Sequence, residues 1–226
     1  MTATPRTHDR RGAAPLAPVT LAGRWVRLEP LAPAHLDALL AAATADPAET
    51  FPFTHVPRAR DELARWLEAA LQLAAAGKAL PFATVELGRG QVVGSTRLCN
   101  VERWTWFDGA ERRPPGGVDS VEIGFTWLAR AAQRTGLNTE AKLLMLRHAF
   151  EVLRVHRVQL KTDARNQRSR DAIARLGARF EGVLRSDRPS AEDGLRDTAM
   201  FSVVEVEWPE VRARLAGLLD AAGRPR

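Results

Sequence analysis

The sequence contains no tyrosine and only one cysteine, Cys99, among its 226 residues. A single cysteine cannot form an intramolecular disulfide, so an apolar core has to stabilise the fold, and this composition is typical of a reducing compartment. No apolar run reaches the roughly 20 residues that a membrane-spanning helix needs. The first 20 residues also lack the continuous apolar segment of a secretory signal. We therefore expect a cytoplasmic protein that makes no membrane contact.

Several motifs are absent as well, and each absence excludes a class of site. There is no G-x-x-x-x-G-K sequence, which excludes a P-loop, and no strand followed by G-x-G-x-x-G, which leaves a dinucleotide-binding fold unsupported. Neither His148 nor His156 belongs to a His, Cys, Asp and Glu cluster at metal-ligand spacing. We therefore predict that the protein has no metal site.

Acidic residues are outnumbered by lysine and arginine, so the net charge is +6 and the isoelectric point about 10.7. The arginines are scattered among aspartates and glutamates, and several lie near the two ends of the chain. This distribution argues against nucleic acid as the main partner, although it is compatible with a transient nucleic-acid or ribosome contact. It suits a small polyanionic ligand.

Hydrophobic periodicity and turn residues predict seven strands and five helices in the order β α α β β β α β α β β α. The strands are predicted at 25–31, 81–87, 92–104, 121–127, 157–163, 179–184 and 198–205, and the helices at 34–45, 59–76, 137–152, 166–176 and 210–219. This order favours one α/β domain with a mixed sheet and helices on its faces. We place a flexible arm at 1–20, the domain at 21–208, and a C-terminal helix and tail at 209–226.

Between Ser120 and Phe150 the pattern changes from strand alternation, through a Gly-containing turn, to helical spacing. A turn of this kind that opens a helix exposes backbone N–H groups, to which the helix dipole adds positive charge. Arg130, Arg134 and Lys142 strengthen the same field. The segment therefore predicts an anion site, most simply for phosphate. The alternative is an ordinary connection with a solvated basic loop, because one glycine turn is a weak signal.

Four stretches at matching spacing resemble the GCN5-related N-acetyltransferase (GNAT) superfamily. They are VEIGFTWL at 121–128, QRTGLNTEA at 133–141, NQRS at 166–169 and LGA at 176–178. The similarity is greatest to the ribosomal-protein, RimJ/RimL-type branch, which acetylates protein N-termini, and it covers about residues 22–207. It implies the GNAT acyl-CoA N-acyltransferase fold, in which helices flank a central, mostly antiparallel sheet. It also makes a homodimer an expectation.

The resemblance further implies acetyl-CoA as the cofactor, with its pyrophosphate on the N–H groups of the turn and its pantetheine arm along the central strand. The cofactor-binding residues that it implies are Trp127, Leu128, Gln133, Arg134, Thr135, Gly136, Leu137, Asn138, Thr139, Asn166 and Arg168. Asn138 stands where the family usually has Gly or Ala, and Asn tolerates left-handed backbone better than most residues. Thr139 is expected to cap the helix and touch phosphate. Arg168 and Lys142 either reach the 3′-phosphate or are plain surface charges.

Acetyl transfer to an amine requires that the acceptor nitrogen lose a proton, and Glu122 matches the family position of a catalytic glutamate. The alternative for Glu122 is a salt-bridged strand residue. Many relatives protonate the departing thiolate with a tyrosine, which this chain lacks. Ser169 matches the serine of the N-terminal acetyltransferase branch and is expected to hydrogen-bond the thiolate. The alternative for Ser169 is a helix-surface residue beside an N-cap, Asn166.

The acceptor pocket is expected to form from the segment 51–53 and the loops 104–117 and 186–197. Its candidate substrate-binding residues are Phe51, Phe53, Trp104, Trp106 and Phe107, for which core packing is the alternative. We predict an acetyl-CoA-dependent N-acetyltransferase that acts by direct transfer on a protein or peptide N-terminal amine. The alternatives are a same-fold acyltransferase for a small amine, such as a metabolite or an antibiotic, and a non-catalytic module that binds acyl-CoA or nucleic acid.

Overall fold

One eight-stranded sheet forms the centre of the computed structural model, which describes residues 15–105, 117–190 and 194–222. Its strands are β1 (Leu21–Ala22), β2 (Val26–Pro30), β3 (Leu80–Glu86), β4 (Gln91–Glu102), β5 (Ser120–Leu128), β6 (Arg157–Asp163), β7 (Arg179–Pro189) and β8 (Leu195–Val204). Their order across the sheet is β1-β2-β3-β4-β5-β6-β8-β7. Only β5 and β6 are parallel among these neighbouring pairs. The mixed, mostly antiparallel sheet is therefore confirmed.

Helices cover both faces of this sheet. They are α1 (Leu36–Thr44), α2 (Arg60–Ala75), α3 (Gly136–Arg147), α4 (Gln167–Leu176) and α5 (Trp208–Ala222), and a π-helical turn at His148–Val152 extends α3. Side chains of α1 and α2 pack in one apolar cluster, and those of α3, α4 and α5 pack in a second, larger one. Adjacent strand residues alternate between the clusters, as Phe82 and Ala83 do, because side chains point to opposite faces along a strand.

The predicted order of strands and helices agrees with the structure, which among the described residues adds the short strand β1 and four short 3-10 helices at Pro33–His35, Ala48–Thr50, Arg130–Ala132 and Glu205–Glu207. The predicted loop at 186–197 was wrong over most of its length. Strand β7 continues to Pro189 and β8 begins at Leu195, and the backbone N–H of Ser190 donates to the carbonyl of Gly194 at 2.9 Å. A proline and a glycine here mark the ends of a hairpin connection rather than a long loop.

A buried carboxylate ties α3 to the first strands. Glu140 accepts hydrogen bonds from the backbone N–H groups of Arg24, Trp25 and Val26 at 2.7, 2.7 and 2.9 Å. A Cβ atom at Gly23 would collide with this carboxylate. Leu16 and Val19 of the predicted arm also pack against the larger cluster, so packing begins before β1.

None of the helices in the described ranges is both long and apolar enough to cross a membrane.

Candidate functional site

A cleft opens in the sheet where β5 and β6 diverge. The two strands pair only from Ser120 to Ile123, although β5 continues to Leu128 and β6 to Asp163. The cleft has a volume of about 580 Å³, which lies in the usual range for small-molecule sites. Beyond Ile123, no strand among the described residues pairs with the edge of β5 that faces β6. An extended ligand that carries amide groups could therefore add to this edge like a strand.

Strand β5 carries a bulge at the cleft. Between the cross-strand pairs Ser95–Trp127 and Arg97–Gly124, β5 has two residues where β4 has one. Phe125, one of the two, has a left-handed φ of 51° and a half-exposed side chain. Bulges redirect backbone groups, and an aromatic residue in this conformation is strained, so both features point to a functional role for this part of β5.

The turn before α3 is the predicted anion site. The Thr135 hydroxyl accepts a hydrogen bond from the N–H of Leu137 at 3.2 Å and so caps the helix. Gln133 donates to the carbonyl of Leu128 at 2.8 Å and accepts from Arg168 at 2.6 Å, which links the turn to β5 and α4. The N-terminus of this twelve-residue helix, where Asn138 lines the cleft, therefore places positive partial charge at the edge of the cleft.

Two of the predicted cofactor residues have their side chains elsewhere. The expected cap at Thr139 was wrong, because Thr139 is buried and its hydroxyl accepts from Arg175 on α4 at 3.2 Å. Leu137 packs in the larger apolar cluster. Asn138, by contrast, lines the cleft together with Gln133.

Glu122 lies on β5 in the wall of the cleft, and only 4% of its surface is exposed. Its Oε2 atom accepts a hydrogen bond from Asn100 at 2.6 Å and forms an ion pair with Lys161 at 2.9 Å. Its Oε1 atom is only 2.7 Å from the place that a Cβ atom at Gly124 would take. The carboxylate is therefore held through one oxygen, and glycine makes room for the other.

Ser169 and Asn166 line the opposite side of the cleft, at the start of α4. The side chain of Asn166 accepts from the backbone N–H of Ser169 at 3.0 Å, so Asn166 is the N-cap, as predicted. Gly177, with a left-handed φ of 103°, ends the helix. The ten-residue helix directs its positive end at the cleft and places the Ser169 hydroxyl there.

Of the two alternatives for Lys142, the plain surface charge was wrong. It is 5% exposed, lines the cleft, and donates from Nζ to the hydroxyls of Thr126 at 2.6 Å and Thr96 at 3.3 Å. The two hydroxyls are 2.7 Å apart. Because burial disfavours the charged amine, the pKa of Lys142 is lowered to about 7. In the sequence, the one sign that Lys142 is buried is its position about one helical turn before Met145, on the same side of α3.

Arg97 was not singled out from the sequence, and the structure buries it to 3% exposure. Its guanidinium carbon lies 4.9 Å from the ring centre of Trp66 and 4.0 Å from that of Phe125, and both rings line the cleft. Its Nε and Nη2 atoms are buried and have no hydrogen-bond partner in the described part of the chain. Burial lowers the pKa of this side chain. No local pattern marks such a residue, since β4 is buried on both faces.

The predicted substrate-binding residues divide into three groups. Phe51 and Phe53 line the cleft, and Phe51 packs edge-on against Trp127 at 5.9 Å. Trp104 is not brought to the cleft, because it stacks on His156 beside the opposite end of β5. Trp106 and Phe107 lie outside the described residues.

Positive charge dominates the described lining of the cleft. Glu122 is its one carboxylate, whereas its lysine and arginine side chains are Lys142, Lys161, Arg168, Arg188 and Arg196. Burial and the neighbouring Arg188 lower the pKa of Arg196. A cleft with this balance attracts anionic ligands.

Comparison with known proteins gives a consistent result. A family model described as an acetyltransferase (GNAT) domain matches residues 26–179. A GCN5-related N-acetyltransferase from Brucella melitensis is 30% identical, with 89% of this chain and 85% of that chain covered and a TM-score of 0.76. A comparison with curated protein sequences gave no match.

Two further solved structures share the fold at lower identity. RimJ from Mycobacterium smegmatis, in complex with CoA-disulfide, is 24% identical over 90% of this chain and 96% of that chain, with a TM-score of 0.75. Ribosomal-protein-S5-alanine acetyltransferase from Vibrio fischeri is 15% identical over 84% of this chain and 98% of that chain, with a TM-score of 0.66.

Proposed function

This chain belongs to the GNAT acetyltransferase family, and we propose that it transfers the acetyl group of acetyl-CoA directly to a primary amine at the N-terminus of a protein or peptide. The observation that carries the proposal is the divergence of β5 from β6 next to the N-terminus of α3. The fold shared with RimJ and with a ribosomal-protein acetyltransferase supports the choice of acceptor.

The residues around the cleft fit acetyl-CoA. The turn from Gln133 and the first N–H groups of α3 offer an anion site for its pyrophosphate, with Arg168 beside it. The free edge of β5 from Gly124 to Leu128 offers backbone partners for the pantetheine amides. Acetyl-CoA supplies an electrophilic thioester carbonyl and a thiolate leaving group.

We assign one group of the cleft to each step of the acetyl transfer. The bulge of β5 at Phe125 would offer backbone N–H groups to the thioester oxygen, where negative charge develops. Glu122 accepts the proton of the incoming ammonium at Oε1, because Oε2 is engaged by Asn100 and Lys161. Ser169 donates a hydrogen bond to the departing thiolate, which the positive end of α4 also stabilises.

The test of this proposal is a mass-shift assay on peptides with free N-termini and acetyl-CoA, with N-terminally blocked peptides as the control. We expect a gain of one acetyl group on the free peptides only. Glu122→Gln should lower kcat by about 10²- to 10⁴-fold, since it removes a general base. The matched control is Glu86→Gln, a strand carboxylate outside the cleft. An unchanged rate and pH profile for Glu122→Gln would exclude Glu122 as the base.

A further inference from the structure

The guanidinium of Arg97 is a buried cation without a hydrogen-bond acceptor for its Nε and Nη2 atoms among the described residues. Arg97 is 3% exposed, and its guanidinium lies against the rings of Trp66 and Phe125. Buried arginines are normally paired with carboxylates or hydrogen-bonded to carbonyl groups, because leaving their N–H groups unpaired costs free energy. The missing partner has the chemistry of an anion that accepts two hydrogen bonds.

The position of Arg97 relates this missing anion to the reaction. Arg97 faces Gly124 across the β4–β5 pair, and the next pair with side chains on that face is Cys99 with Glu122. Glu122 is thus a diagonal neighbour of Arg97, at a spacing of about 7–8 Å between such positions in a sheet. The carboxylate of Glu122 is already engaged by Lys161. An acceptor whose amine meets Glu122 can therefore place a group only a few bonds away at Arg97.

Phe125 separates Arg97 from the cleft. Its ring covers the guanidinium on one side, and about half of the residue is exposed. Rotation of an exposed ring is fast and needs no backbone movement. The surrounding cleft also favours an anionic ligand, because its described lining has five lysine and arginine side chains and one carboxylate.

We propose that Arg97 is the anion-binding subsite of the acceptor pocket, that it receives a carboxylate lying close to the reacting amine, and that the Phe125 ring opens to admit it. This inference rests on the proposed function, and it specifies the acceptor class as amines that carry a nearby carboxylate, which at a protein or peptide N-terminus means a residue with an acidic side chain. A planar carboxylate matches the two parallel N–H donors of a guanidinium.

The experiment is a calorimetric titration with product-like probes in the presence of saturating CoA. The probes are the N-acetyl derivatives of glycine, β-alanine and 4-aminobutyrate, each as the free acid and as the carboxamide. We expect the full-length protein to bind at least one acid about tenfold more tightly than its amide, with the best chain length reporting the distance from the amine to Arg97. Arg97→Met should reduce that preference to less than about threefold without weakening the amides.

Arg89→Met is the control, because it removes the same charge from an exposed position outside the cleft while leaving Arg97 in place. It should keep the preference for the acid. If Arg97→Met does not fold, Arg97→Gln replaces it with the same expected loss. The proposal is overturned if none of the acids is preferred by the wild type, or if the preference survives the loss of Arg97. These measurements need no turnover, so they are separate from the failure of the proposed function, which would appear as no gain of an acetyl group on the free peptides in the mass-shift assay.

Discussion

Two buried cations approach strand β5 from opposite faces of the sheet. Lys142 comes from α3 and donates to two threonine hydroxyls, whereas Arg97 lies on the α2 side against two aromatic rings, with two of its nitrogens left without acceptors among the described residues. A lysine can lose its proton when it is buried, and an arginine in a protein effectively cannot. The folded chain therefore supplies the hydrogen-bond acceptors of Lys142. Its described residues do not supply acceptors for these two nitrogens of Arg97, which fits a side chain that waits for a ligand.

The difference shows how the two faces of the cleft are built. On the α3 face, polar groups satisfy one another and fix the bulge of β5 through Thr126. On the α2 face, the Arg97 guanidinium lies behind the half-exposed ring of Phe125, and two of its nitrogens have no acceptor among the described residues. We infer that the α3 face positions strand β5 for binding acetyl-CoA, while the α2 face recognises the acceptor. Three substitutions break or sharpen this comparison.

The largest effect should come from Gly94→Ala, which disturbs both faces together. A Cβ atom at Gly94 would collide with the backbone carbonyl of Trp127, and its φ of 157° is one that L-residues rarely adopt. Strand β5 then has to shift, so we expect a loss of about 3 kcal/mol in the free energy of unfolding and loss of CoA binding. Urea unfolding and calorimetry measure the two effects.

Gly217→Ala is the control for this substitution. Gly217 lies inside α5, and a Cβ atom there meets nothing within 4 Å. The change should be neutral or should stabilise the protein by up to about 1 kcal/mol. A Gly94→Ala protein as stable as this control would contradict the close packing of β4 against β5.

The next effect is the pH dependence that Lys142 confers on stability. Its pKa is about 7 in the folded protein, against 10.5 for an exposed lysine. Between these values the unfolded chain holds a proton that the folded chain has released, so the free energy of unfolding rises with pH, by at most about 1.4 kcal/mol per unit. Below pH 7 the penalty for burying the charge is fully present.

Lys142→Met should remove this rise, and at pH 7 or below it should be no less stable than the wild type. Unfolding free energies measured from pH 6 to pH 10 test the expectation, with the exposed Lys78→Met as the control that retains the wild-type slope. An identical slope in the wild type and Lys142→Met would show that the Lys142 amine stays charged.

The smallest effect on stability should be that of Arg97→Met. The substitution removes a charge with unpaired N–H groups, and it keeps an apolar chain between Trp66 and Phe125. We expect a change of less than about 1 kcal/mol in either direction. A loss of several kcal/mol would mean that the rings stabilise the cation for structural reasons and would remove the contrast with Lys142.

Local pattern was enough for the parts of the molecule that depend on local chemistry. Alternation, turn glycines and caps predicted the strands and helices in order, and Asn166 was correctly identified as a cap. The motif spacing led to the right family, and it placed Glu122 and Ser169, which both line the cleft. Their catalytic roles remain predictions for the assays described above.

The sequence was least informative where tertiary contacts decide the outcome. Lys142 and Arg97 are charged residues whose burial depends on tertiary packing, Lys142 between α3 and the sheet and Arg97 within strand β4. Thr139 was expected to cap α3, but the earlier Thr135 takes that role because of the backbone path through the turn. A strand boundary such as that of β7 depends on pairing with β8, which no local window reveals.

The most direct test of the central claim is thermal unfolding of the wild-type protein with acetyl-CoA, compared with ATP and NADP as control polyanions. At about a hundred times its dissociation constant, a ligand that binds only the folded state adds roughly 2.7 kcal/mol to stability. We predict this stabilisation with acetyl-CoA and little or none with the two controls. Equal stabilisation by all three would reduce the site to a general phosphate patch, and no stabilisation by acetyl-CoA would contradict the claim that β5 and α3 form a cosubstrate site.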